Sequence, residues 1–130
     1  MKRVLVALFL SASAVLAHHA FAAEFDGTKP VTLEGTLTNV MWSNPHGWIY
    51  VDAPGKDGKI VKWAIEFGSP NSLLRRGLRE TDFPPGIKVT VNGFLAKDGS
   101  ATVNASDVTL PDGRNLYTGS SNPNAKGAEK

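Results

Sequence analysis

The chain has 130 residues, 42% hydrophobic and 20% charged, with thirteen glycines, eight prolines and two methionines. Such a chain holds one domain and at most a small second element; it is too apolar to be disordered and too short for a multidomain enzyme. The absence of cysteine excludes a disulfide, a thiolate zinc site, an iron–sulfur cluster, a thiol nucleophile and a lipidated cysteine.

Lys2 and Arg3 precede an apolar run from Val4 to Leu16 that only Ser11 and Ser13 interrupt, and Val15-Leu16-Ala17 has the small residues of a cleavage site. Residues 1–17 therefore read as a signal peptide, which implies a secreted, periplasmic protein. A membrane anchor is not expected, because a spanning helix needs roughly 20 apolar residues and no second such run follows. Ala20-Phe21-Ala22 satisfies the same cleavage rule, but the apolar run ends at Leu16 and cleavage follows such runs closely, which favours Ala17. Losing Lys2 and Arg3 from fourteen basic side chains leaves twelve, against twelve acidic ones. A neutral mature chain has no cationic surplus to set against phosphates, so no nucleic-acid partner is expected.

The first strand runs from Val31 to Met41 with period two, Val31, Leu33, Gly35, Leu37, Asn39 and Met41 sharing one face. Gly35 suggests a bend in it. After Ser43-Asn44-Pro45, Trp48 to Asp52 forms a second strand, and residues 53–58 form a turn. In the third strand, Ile60 to Phe67, Val61, Trp63, Ile65 and Phe67 face one way and Lys62, Ala64 and Glu66 the other.

The period then changes once. Ser69 can cap and Pro70 can open a short helix over Asn71 to Arg76, ended by Gly77 in a left-handed conformation. Leu73, Leu74 and Leu78 read as its buried side; Arg75, Arg76 and Arg79 read as a solvated face rather than an anion clamp. Alternation returns with Ile87, Val89, Val91 and Leu95, broken by Gly93, then again from Ala101 to Leu110 after the turn Lys97-Asp98-Gly99-Ser100. Residues 18–118 form one domain, and residues 119–130 read as a frayed tail.

The order strand, strand, strand, short helix, strand, strand predicts an all-β fold. It is that of a small OB-like Greek-key barrel of five or six strands, with one short helix between strands 3 and 4. Gly35 and Gly93 suit the bends that so small a barrel requires.

Fold does not give function. Trp42, Trp48, Tyr50 and Trp63 can stack a base or a sugar, although aromatics in barrel strands usually pack in the core or rim. The three histidines carry more information. Cleavage after Ala17 makes His18 the mature N-terminus, so one residue offers an amine and an imidazole nitrogen, and His46 offers a third nitrogen. Such nitrogens favour Cu(II) over Zn(II) or Ni(II), with Glu66 a candidate oxygen ligand and His19 an alternative imidazole. Cleavage after Ala22 would discard His18 and His19 and leave His46 as a turn residue. His46 and Glu66 also suggest an acid/base pair, but the common hydrolase and metalloprotease signatures are absent, so a non-enzymatic protein is expected. Copper oxidase chemistry at a histidine brace would need an open substrate surface, which no sequence displays.

His18-His19-Ala20-Phe21-Ala22, Glu24-Phe25-Asp26, Pro30 to Gly35, Trp42-Ser43-Asn44-Pro45-His46, Trp63-Ala64-Ile65-Glu66 and Lys97-Asp98-Gly99-Ser100 together resemble a family of small secreted bacterial proteins of unknown function. The likeness runs from the His-His opening to Asn104-Ala105, and Ala20 stands where that family has serine. It implies secretion, and it implies that His18, His19, Asn44, Pro45, His46 and Glu66 occupy recurring motif positions. The expectation is a periplasmic copper-binding module with His18, His19, His46 and Glu66 as metal-site residues. The alternative is a metal-free OB-like module whose aromatic face or sheet edge takes a small ligand or a protein partner.

Overall fold

The computed structural model describes residues 21–119 and residue 122. The expected signal peptide, His18 and His19 lie outside the described residues, as does most of the expected tail. Of that tail, Gly119 and Asn122 are described, and Asn122 is buried.

Residues 21–24 are helical and lead directly into the first strand. The elements that follow are β1 (Phe25–Met41), β2 (Trp48–Pro54), β3 (Ile60–Glu66), α1 (Pro70–Arg75), a 3-10 turn (Glu80–Asp82), β4 (Lys88–Ala96), β5 (Thr102–Thr109) and β6 (Asn115–Tyr117). The sheet order is β3-β2-β1-β4-β5-β6, and a parallel pairing of β3 with β5 closes strands 1 to 5 into a ring. This is the OB-type barrel that the strand order predicts, with α1 between β3 and β4 and β6 added to β5. Among the described residues no helix is long and apolar enough to cross a membrane.

The inward faces of the pleated strands fill the barrel with Leu37, Ile49, Val51, Ile65, Val91, Val103 and Val108, all fully buried. Helix α1 forms as its sequence directs. Ser69 Oγ accepts from the Ser72 N–H at 3.3 Å, proline opens the first turn, and Gly77 follows the end at φ 83°. Leu73 and Leu78 are buried, but Leu74 is 46% exposed, because a six-residue helix presents only one narrow face to the barrel and Leu74 is turned about 100° from Leu73. Phe83 follows the 3-10 turn and packs on Phe67, ring centroids 5.3 Å apart.

Two glycines permit the closure. A Cβ on Gly35 would stand 2.3 Å from the Asp52 carbonyl oxygen, and one on Gly93 2.3 Å from that of Asn104. Only glycine allows neighbouring strands to approach this closely.

β1 differs from expectation in two ways. It begins at Phe25 rather than Val31, because residues 25–30 extend along β4, from Phe25 opposite Ala96 to Pro30 opposite Phe94, with an irregular register between. A β-bulge between Leu37 and Asn39 then reverses the pleat, so Val40 pairs with the buried Ile49 while Met41 is exposed. The uniform face from Val31 to Met41 therefore ends at Leu37.

Candidate functional site around Glu66

The register places one outward-facing residue from each barrel strand in a row. Met41 lies opposite Trp48, Trp48 opposite Glu66, Glu66 opposite Asn104 and Asn104 opposite Phe94. An outward-facing residue is normally solvated. Glu66 and Asn104 are nevertheless only 6% and 2% exposed.

The N-terminal segment packs over this row. Phe21 meets Phe94 edge to face at 5.9 Å and stacks on Phe25 at 5.8 Å, and both phenylalanines are buried. The Lys97 N–H donates to the Glu24 carbonyl at 2.9 Å, and the Lys97 ammonium donates to that of Ala22. Glu24, Phe25, Trp48 and Thr102 line one shallow groove.

His46 comes from the other side, in the turn that links β1 to β2. The Asn44–Pro45 peptide in this turn is cis. The Gly47 N–H donates to the Gly68 carbonyl at 3.0 Å, and the Phe67 N–H donates to the Gly47 carbonyl at 2.7 Å, tying the turn to the end of β3. His46 Nδ1 consequently lies 3.5 Å from Glu66 Oε1, with the imidazole half exposed. Asn104 Nδ2 donates to the same carboxylate oxygen at 3.0 Å.

Burial pushes the Glu66 carboxyl above its ordinary range. The nearby Glu24 carboxylate adds to that shift, while His46 and Asn104 oppose it without cancelling it. Glu66 thus has a polarised environment with a cation-forming partner on the solvent side. A histidine whose Nδ1 faces a carboxylate has its Nε2 directed elsewhere, the arrangement that orients ligating histidines in metal proteins.

Of the four expected site residues, the structure brings His46 and Glu66 together. Among the described residues no group of three His, Cys, Asp or Glu side chains has metal-holding geometry. Any such site needs donors from outside them. The sequence alone does not mark Asn104 or Glu24 as site residues. Asn104 sits in an ordinary alternation, Val103-Asn104-Ala105, in which an outward polar residue signals nothing, and only the parallel pairing of β3 with β5 reveals its partner.

The aromatic set divides. Trp48 and Tyr50 lie on the outer face of β2, while Trp42 packs near Phe83 at 6.3 Å and Trp63 packs against the core. Arg76 lies over the Tyr117 ring at 4.3 Å, and the Arg79 main chain is capped by Asp82.

No curated protein matches the chain. Among solved structures, the dimeric N-terminal domain of PriB protein from Thermoanaerobacter tencongensis is similar at a TM-score of 0.44 and 18% identity, covering 64% of this chain and 96% of that one. The sequence profile of a family of unknown function, DUF6152, matches residues 6–105, and the chain belongs to that family.

Proposed function

We propose that the protein is a secreted, periplasmic, non-catalytic module that binds one Cu(II) ion through the amine and imidazole of His18 and through His46, with Glu66 orienting His46. The observation that carries this reading is the contact between His46 and the buried Glu66 on the face where the N-terminal segment packs. Phe21 rests on Phe94, two strand spacings from Glu66, or about 10 Å. His18 precedes Phe21 by three residues, a tether of about 10 Å at full extension, which matches the span that the proposed bridge to His46 requires.

In this reading His46 Nε2 is the donor, and Glu66 holds Nδ1 rather than binding the metal itself. Three nitrogens suit copper best among the divalent first-row ions. His19 supplies a substitute imidazole if the chain turns the other way. The protein performs no chemistry on the ion; it captures it.

Intact-mass measurement of the exported protein is expected to show a chain beginning at His18, and a start at Ala23 overturns the proposal. Cu(II) titration of the tag-free mature protein, followed by tryptophan fluorescence and by electron paramagnetic resonance, is expected to give one site with nitrogen coupling. His46→Ala and an added N-terminal methionine should each weaken it by at least tenfold, more than about 1.4 kcal/mol. Glu66→Gln should weaken it about 10–100-fold, the usual cost of losing an orienting partner. Binding by the His46→Ala and N-terminally extended forms as tight as that of the unmodified mature protein would refute the brace.

A further inference from the structure

A second polar constellation lies on the outer face of the β1-β4-β5-β6 part of the sheet, and we propose that it is a binding site for a neutral, hydroxyl-rich ligand of the saccharide class. Its floor is a ladder of side chains across four strands. Thr32 Oγ1 donates to Asn92 Oδ1 at 2.7 Å, Asn92 Nδ2 donates to Asp107 Oδ1 at 2.9 Å, and Asn115 Nδ2 donates to Asp107 Oδ1 at 2.8 Å and to Thr109 Oγ1 at 2.9 Å. Each planar group is thereby locked in orientation by its neighbour.

The ladder leaves hydrogen-bonding capacity unspent. Asp107 Oδ1 takes both amide donors, so among the described residues the other carboxylate oxygen, the Asn115 carbonyl oxygen and the second Asn92 amide hydrogen keep acceptor and donor positions for a ligand. A backbone irregularity adds one more group. The register slips between Asn92, opposite Asp107, and Gly93, opposite Ala105, so Ser106 is an extra residue in β5. Ser106 and Asp107 therefore both line the groove, which consecutive residues of a regular strand cannot do. Bulges that redirect a side chain in this way recur beside functional sites.

The groove encloses about 530 Å³, inside the range of about 300–1,000 Å³ usual for small-molecule sites. Pro30, Phe94 and Tyr117 flank the polar floor. Its composition selects the ligand class. Among the described residues no Lys, Arg or His lines it and its one charged side chain is a carboxylate, which disfavours an anion. A single carboxylate already engaged by two amides is a poor cation cage. Fixed acceptors and donors between apolar walls match a molecule with alternating hydroxyl and C–H surfaces. This site shares no metal-site residue with the one proposed above and stands or falls independently of it.

The test is a titration of the mature protein, followed by ¹H–¹⁵N correlation spectra, with chitobiose, cellobiose and maltose as neutral probes and with glucose 6-phosphate and glucosamine as charged controls. The expected result is saturable shifts at the amides of Asn92, Ser106, Asp107 and Asn115 with at least one neutral disaccharide. Asp107→Ala and Asn115→Ala, each verified as folded by circular dichroism, should weaken that binding at least tenfold, and Thr38→Ala on the opposite part of the sheet should leave it unchanged. The proposal is overturned if none of the three neutral probes moves these amides, if only a charged control does, or if both ladder variants bind as the unmodified protein does. In the first and last cases the ladder is only a cross-strand support, and in the second the groove takes a charged ligand rather than a neutral one.

Discussion

Replacing Gly93 by alanine tests whether the close approach of β4 to β5 is a requirement of the fold. An added Cβ would lie 2.3 Å from the Asn104 carbonyl oxygen, 2.6 Å from Val103 Cγ1 and 3.0 Å from Ala105 Cα. A carbon–oxygen contact is comfortable from about 3.3 Å, so the strands must part locally by about 1 Å. That stretches ladder bonds at the Gly93–Ala105 and Phe94–Asn104 pairs beyond useful length. Two such bonds are worth about 1 kcal/mol each, and residual overpacking adds about 1–3 kcal/mol. The expected loss of about 3–5 kcal/mol is a large share of a typical stability of about 5–15 kcal/mol. Guanidinium unfolding followed by circular dichroism measures it. Gly47→Ala is the control, because its Cβ would meet nothing nearer than 3.6 Å and its φ is not in the left-handed region. If Gly93→Ala unfolds within about 0.5 kcal/mol of the unmodified protein, the usual scatter of innocuous substitutions, or no earlier than Gly47→Ala, the argument from close approach is wrong.

Val91→Asp should abolish cooperative unfolding, since Val91 is fully buried and a lone carboxylate there costs several kcal/mol; a sharp transition near that of the unmodified protein would contradict the core assignment. Glu66→Gln should be stabilising at neutral pH. The folded protein holds the Glu66 proton more tightly than the unfolded chain does, so stability declines as pH rises from about the ordinary 4.5 through the raised folded value and stays lower above it. Glutamine stands in for the protonated form, so the gain should vanish below the ordinary value; a variant that loses more stability at neutral than at acidic pH would reverse that sign.

The barrel was legible because its signals are local. Period-two runs, the Ser69-Pro70 start and Gly77 stop of α1, and glycines inside otherwise regular strands each follow from backbone geometry over a few residues. The misreadings lay where local signals mislead. Nothing in Thr36 to Met41 announces that the strand bulges after Leu37, and one inserted residue moves Val40 inward and Met41 outward. Leu74 looks apolar enough to be buried, but a helix of six residues has no second face to bury. His46 and Glu66 were legible as chemistry-bearing types, and their contact was not, because it depends on the Gly47 turn being tied to the end of β3.

The depth at which Glu66 lies argues against an incidental role. Its position on β3 faces outward, where a carboxylate can remain in water at no cost, yet the N-terminal segment packs over the same face. Covering it costs desolvation, which is why its proton is held more tightly than usual. A hydrophobic residue opposite Trp48 would serve the packing of Phe21 and Phe25 better. What the carboxyl group supplies instead is a fixed acceptor beside a half-exposed imidazole, held in place by Asn104 on the neighbouring strand. That arrangement fixes the ring's orientation, which the proposed binding of a cation at Nε2 would use and which the barrel does not need in order to fold.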